Sequence, residues 1–184
     1  MRTLAMILLL FLTPAGIAGE RYAFIYGGQL SQDRMLDILS RAEATREYSY
    51  LVTLGAGKRV GTFGHYLDWE VEIQGGRHFG EQNHGETVAV MIARWQRLPW
   101  DRWLDTSIAL GQGLSYATRR PELERSGGTN RLLNYLLVEA SFVVPGTRNW
   151  EIFSRLHHRS GVFGLYDGAE GGSNVLGIGL RTRF

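Results

Sequence analysis

Leu67-Asp-Trp-Glu-Val-Glu-Ile-Gln74 alternates without a break. In an extended chain successive side chains point to opposite faces. Asp68, Glu70, Glu72 and Gln74 therefore share one face, and Leu67, Trp69, Val71 and Ile73 the other. The same period of two recurs on both sides of this stretch. Ser107, Ala109, Gly111, Gly113 and Ser115 oppose Ile108, Leu110, Leu114 and Tyr116; earlier, Ser49, Thr53 and Gly55 oppose Tyr50, Val52 and Leu54. Eight such segments run over 21–29, 48–56, 64–77, 87–97, 103–118, 132–144, 150–160 and 173–184. The fourth is ambiguous, because both of its faces carry apolar residues. No apolar run after residue 19 is long enough to be a transmembrane helix. With 24 Gly, 4 Pro and 13 Trp plus Tyr, this patterning predicts an all-β fold, an eight-stranded antiparallel barrel.

Which face looks inward decides the kind of barrel. A soluble barrel buries its apolar face, whereas a membrane barrel turns it to lipid and fills the lumen with small and charged residues. Connections near 57–63, 98–102 and 145–149 read as short turns; those near 30–47, 78–86, 119–131 and 161–172 read as longer loops. Such alternation is expected of an outer-membrane barrel whose termini lie in the periplasm. Trp95, Trp100, Trp103 and Trp150 fall by the short turns, as an inner aromatic girdle would. Phe184 closes an alternating last segment. The reading is thus a transmembrane, outer-membrane barrel. Met35, Leu36 and Leu39 have helical spacing, so 30–45 is either a short helical turn or a plain loop.

The first 19 residues carry Arg2, an apolar run over 4–12 and Gly16-Ile17-Ala18. This predicts a signal peptide at 1–19 and a single barrel domain at 20–184. There is no cysteine, so the exported domain stands without disulfides. Net charge is +2, and Lys58 is the only lysine among 20 basic residues. No basic block suggests nucleic acid.

Parity assigns the last two segments. Arg181 and Arg183 belong in the lumen, so Asn174, Leu176, Ile178, Leu180, Thr182 and Phe184 face lipid. In the preceding segment Trp150, Ile152, Ser154, Leu156, His158 and Ser160 face lipid, and Glu151, Arg155, His157 and Arg159 face inward. From Trp150 to His158 the strand climbs about 20 Å at about 3.3 Å per residue with a tilt near 40°. Asn174 reaches a similar level from Phe184. His158, Ser160 and Asn174 are therefore expected together at the outer-leaflet interface. The chemistry those residues suit is acyl transfer: the Ser160 hydroxyl attacks an ester, His158 takes its proton, and a third group orients the imidazole.

His158-Arg159-Ser160, followed by Gly164-Leu165 and Gly172-Ser173-Asn174, resembles the lipid A 3-O-deacylase family of outer-membrane barrels. The resemblance is sharpest over 156–184 and architectural elsewhere. It implies hydrolysis of the 3-O-acyl ester of lipid A (lipopolysaccharide) at the cell surface, with no metal and no cofactor. The chain departs from the family twice. An Asn usually follows the serine, where it helps to form an oxyanion hole; here Gly161 stands there, with its backbone N–H or Asn134 as substitutes. The acidic member falls where Asn174 stands, with Glu170 in the preceding loop as the alternative third member. Arg159, Arg119 and Arg120 are candidate contacts for lipid A phosphates.

Other polar groups read as structural. Asp68, Glu70, Glu72, Arg94, Glu139, Arg155 and Arg181 suit a lumenal charge network. His157 opposes His158 across the strand, so the pair does not share a metal. His78, Glu81 and His84 read as a solvated loop rather than a cation site. The rival functions are a non-catalytic barrel whose loops bind a surface partner, and an acyltransferase or lipid carrier that takes the chain inside the lumen, which a charged lumen disfavours. A homodimer is left open.

Overall fold

In a computed structural model of the chain, residues 20–41, 44–124, 128–162 and 164–184 are described. The predicted signal peptide lies outside them. Eight strands follow in order: β1 (Arg21–Ser31), β2 (Ser49–Phe63), β3 (Leu67–Gly80), β4 (Gly85–Trp95), β5 (Thr106–Ala117), β6 (Leu132–Val143), β7 (Trp150–Ser160) and β8 (Gly172–Arg183). Each pairs antiparallel with the next, and β1 pairs with β8 to close the barrel. One short helix, α1 (Met35–Arg41), follows β1, so the helical spacing of Met35, Leu36 and Leu39 is realised. The backbones of Arg21 and Phe184 exchange both hydrogen bonds, 2.9 and 2.8 Å, so the terminal strands start and stop at one end. That end is called the near end below, and the other the far end.

The acidic face of 67–74 is inside. Asp68, Glu70, Glu72 and Gln74 are buried, while Trp69, Leu54, Ile108, Leu110, Met91, Ile178 and Leu180 stand exposed on the outer wall. A wall that is apolar outside and charged inside suits lipid, and it overturns the soluble-barrel alternative. Trp95, Trp100, Trp103 and Trp150 ring the near end as expected. A second ring of Tyr48, Tyr50, Phe79 and Tyr116 surrounds the far end, with Tyr50 stacked on Phe79 at 5.6 Å.

Inside, Glu139 sits among three guanidiniums: Arg155 at 2.6 Å, Arg181 at 2.7 Å and Arg94 at 2.9 Å. Arg94 also pairs with Glu70, Arg155 with Glu72, and Arg181 with Glu151. Buried charges must be paired to be tolerated, and these are. The lumen is not purely polar, however. Tyr22, Phe24 and Tyr26 of β1 point inward and pack with Phe153, and the guanidinium of Arg155 lies 4.8 Å from the Phe24 ring. Across from them Val88, Val90, Ile92, Tyr135 and Leu137 form a second apolar layer, which settles the ambiguous fourth segment. Gly55 and Gly57 make room for the β1 rings: a Cβ there would come within 2.2 Å of Phe24 and 2.4 Å of Tyr22.

Several boundaries differ from the sequence expectation. The stretch 57–63 is not a turn but the continuation of β2, paired with β3 through a bulge between Arg59 and Gly61. Gly57, Lys58, Arg59 and Gly61 look like turn composition, yet Arg59 meets Asp68 across the sheet at 3.4 Å. The actual turn is 64–66. The expected long loop at 78–86 shrinks to 81–84, and the near-end connection lengthens to 96–105. Loop length therefore does not alternate through this part of the chain.

Candidate active site

On β7 the outward positions are the even ones, as parity predicted: Trp150, Ile152 and Ser154 are accessible while Glu151, Phe153, Arg155 and His157 are buried in the lumen. His158 and Ser160 are both half-buried on the outer wall near the far end. They lie two residues apart, about 6.6 Å along the strand, on one face.

The register brings the expected neighbours alongside. His158 pairs with Asn174 of β8, and Ser160 pairs with Asn134 of β6. His158 Nδ1 and Asn174 Oδ1 are 2.8 Å apart. Asn174 Nδ2 donates to the carbonyl of Asp33 at 2.7 Å. The second bond orients the amide so that its oxygen faces the ring. The imidazole then carries its proton on Nδ1, and Nε2 is left as the basic nitrogen. Asn174 is buried although it has outward parity, because the loop after β1 folds over it. Asp33 was not foreseen, since a backbone carbonyl in a loop has no sequence signature.

Asn134 is opposite Ser160, and its Oδ1 accepts from Gln112 Nε2. Gln112 also has outward parity on β5 and is exposed there. A glutamine among Leu110 and Leu114 on an apolar face was a readable signal of the same kind as His158, and it was missed.

Three expectations need correction. Arg159 is not at the outer rim. It is buried in the lumen, with Nη1 2.5 Å from Glu124 and Nε 3.6 Å from Glu86. Its odd parity already demanded this. The Gly161 N–H donates to the carbonyl of Gly171 at 3.0 Å, so it is not aimed at a substrate. The glycine there is a packing requirement: a Cβ would come within 1.7 Å of the Ala169 carbonyl oxygen, so the family's Asn has no room. His78 and His84 are not solvated. They are buried and stacked, with centroids 4.2 Å apart, and His78 Nε2 meets Glu86 at 2.7 Å. Among the described residues no cluster has the makings of a metal site.

Arg119 and Arg120 are exposed in the loop after β5, and Glu170 is exposed in the loop before β8. Asn174 lies on the His158 ring, at Nδ1. His157 accompanies His78 in the lumen, 3.0 Å from Glu86 and 2.7 Å from the Tyr26 hydroxyl.

Comparison by sequence finds no matching protein family and no matching characterised protein. Comparison by structure finds small barrels. The outer membrane enzyme PagL superposes with a TM-score of 0.61 at 11% identity, over 88% of this chain and 98% of that one. The N-terminal β-barrel domain of Pseudomonas aeruginosa OprF gives 0.54 at 14% identity, over 90% and 99%. A de novo designed transmembrane β-barrel gives 0.53 at 12%, over 93% and 100%. The fold is that of the small outer-membrane barrels. At these identities the likeness speaks for architecture alone, and it spans an enzyme, a domain of a larger protein and a designed barrel.

Proposed function

We propose that this chain is an outer-membrane serine esterase that removes the ester-linked 3-O-acyl chain of lipid A, exported by its signal peptide. The observation that carries the reading is the His158–Asn174 hydrogen bond on the lipid-facing wall, with Ser160 next on the same face. A polar trio at this place is costly unless it has a use.

In this reading His158 Nε2 takes the proton of Ser160 as Oγ attacks the ester carbonyl. The tetrahedral oxyanion is met by the Asn134 amide across the strand pair. His158 then returns the proton to the departing sugar hydroxyl, leaving an acyl-serine. Water, deprotonated by the same imidazole, hydrolyses that ester and frees a fatty acid. Asn174 holds the tautomer but adds no charge to steady the imidazolium. The exposed Arg119 and Arg120 are candidate partners for lipid A phosphates.

A second reading is a non-catalytic barrel. It is favoured by the Gly161 N–H being spent on Gly171 and by an amide, Asn174, standing where the family has an acid. A fluorophosphonate ester, which reacts with activated serines, separates the two. With the detergent-solubilised barrel it should form a covalent adduct that peptide mapping places on Ser160, and His158→Ala should abolish it. An unmodified Ser160 under conditions that label a control esterase supports the non-catalytic reading.

A further inference from the structure

The outer wall beside the candidate site is not smooth. At the far end of the β1/β8 seam a cavity of about 250 Å³ is bounded by Gln29, Ser31, Arg46 and Leu176. Below it a second hollow of about 360 Å³ lies between Ile25, Val52 and Leu180. Gly27 and Ile178 line both, so the two form one trough running down the wall.

The trough exists because Gly27 has outward parity and no side chain. A Cβ at Gly27 would meet nothing closer than 3.7 Å, so backbone packing does not demand glycine here. From Gln29, level with Leu176, to Ile25, level with Leu180, is four residues, or about 13 Å of strand. That length suits much of a medium acyl chain.

The head of the trough is charged. Arg46 is exposed and makes no ion pair among the described residues. The loop that carries it is fastened on both legs: Gln29 Nε2 donates to the Glu47 carbonyl at 2.9 Å, and Asn174 Nδ2 to the Asp33 carbonyl. Arg46 is thus held above an apolar slot that starts at Gln29–Leu176, two register positions below the Ser31–Asn174 pair. An anionic head over an apolar tail is the complement of this surface.

We propose that the β1/β8 seam is a binding site for a phosphorylated, acylated membrane lipid, with one acyl chain in the trough over Gly27 and a phosphate on Arg46. The proposal rests on the reading of the outer wall as lipid-facing. Joined to the esterase reading, it makes the seam the place where lipid A is anchored while a neighbouring ester lies at Ser160.

The test uses the full barrel carrying Ser160→Ala in detergent, with bis-phosphorylated lipid A and its dephosphorylated form as probes and native mass spectrometry as readout. Arg46→Glu should weaken binding of the phosphorylated lipid about tenfold or more and leave the dephosphorylated one unchanged. Gly27→Phe, which fills the trough from the lipid side, should weaken both. Gly27→Leu provides a milder filling, and folding of each variant is read from heat-modifiable gel mobility. If folded Arg46→Glu and Gly27→Phe bind both probes like the parent, the seam is not the site. Binding that follows the prediction in a barrel whose wild type cleaves nothing keeps the seam and sinks the esterase.

Discussion

Asn174 answers two partners at once, which an amide can do and a carboxylate cannot. Its oxygen faces His158 and its nitrogen donates to the Asp33 carbonyl. A carboxylate would keep the imidazole but set two acceptors against each other at Asp33. Asn174→Ala should therefore lower acyl release by roughly 10²–10⁴-fold, the scale of losing positioned base catalysis. Asn174→Asp should show a split outcome. The added charge favours protonated His158, so the acid limb of the pH–rate profile should move to higher pH. The freed loop should be cut faster by protease in 32–48. An unchanged profile together with unchanged cleavage would contradict this account of Asn174. Residue positions on the outer wall were readable from parity alone, which placed His158, Ser160 and Asn174 on one face. Parity also contained the error over Arg159, whose odd number puts it inside with Glu124. What parity does not hold is the third dimension of a loop. The Asp33 carbonyl, the occupied Gly161 N–H and the Ala169 oxygen against Gly161 all come from chain segments folding back over strand ends.

The far-end loops behave as one element. Glu124 reaches into the lumen to Arg159, Leu123 packs against the lumenal cluster that includes Leu30, Leu51 and Val175, and its N–H points to Gln82 at 3.4 Å. His84 closes the short 81–84 loop by stacking on His78. Burial, and next the neighbouring His78, hold the His84 pKa down to about 4. A histidine depressed in the folded state contributes stability that is whole above about 6.5. It is lost as pH falls from there towards 4, because the opened loop takes up the proton. Burial pushes the Glu124 carboxyl above its usual range, which acts in the opposite sense just above its ordinary pKa. Proteolysis of the far-end loops should accordingly speed up between pH 7.5 and 5, and His84→Phe, which keeps the stack, should flatten that rise. Equal cleavage rates at both pH values in the wild type would contradict it. Element boundaries were the least legible part of the sequence. Gly57, Lys58, Arg59 and Gly61 carry the composition of a turn, but cross-strand pairing with β3, including Arg59 to Asp68, extends β2 past them. Strand identity in the third and fifth segments was plain because a polar and an apolar face were both unbroken.

At the scale of the whole molecule, the barrel is held open by its own contents. Glu139 is shared by Arg94, Arg155 and Arg181, and further carboxylates pair the remaining faces of these guanidiniums. Removing the central charge leaves buried cations under-compensated, so Glu139→Gln should destabilise the barrel by about 3–5 kcal/mol. The measurement is urea unfolding in detergent, followed by tryptophan fluorescence; a change within about 0.5 kcal/mol would show the network to be dispensable. The charged half of this interior followed from alternation. The aromatic half did not, since Tyr22, Phe24 and Tyr26 are inward residues that composition would assign to lipid, and only the space cleared by Gly55 and Gly57 explains them. The same frame of an apolar wall and a filled lumen puts the proposed esterase chemistry on the outer surface. The direct measurement is the mass of lipid A from cells making the wild type or Ser160→Ala at equal levels of folded barrel. The account predicts loss of one hydroxyacyl chain with the wild type and intact lipid A with Ser160→Ala. The same loss in both, or intact lipid A in both, would contradict it.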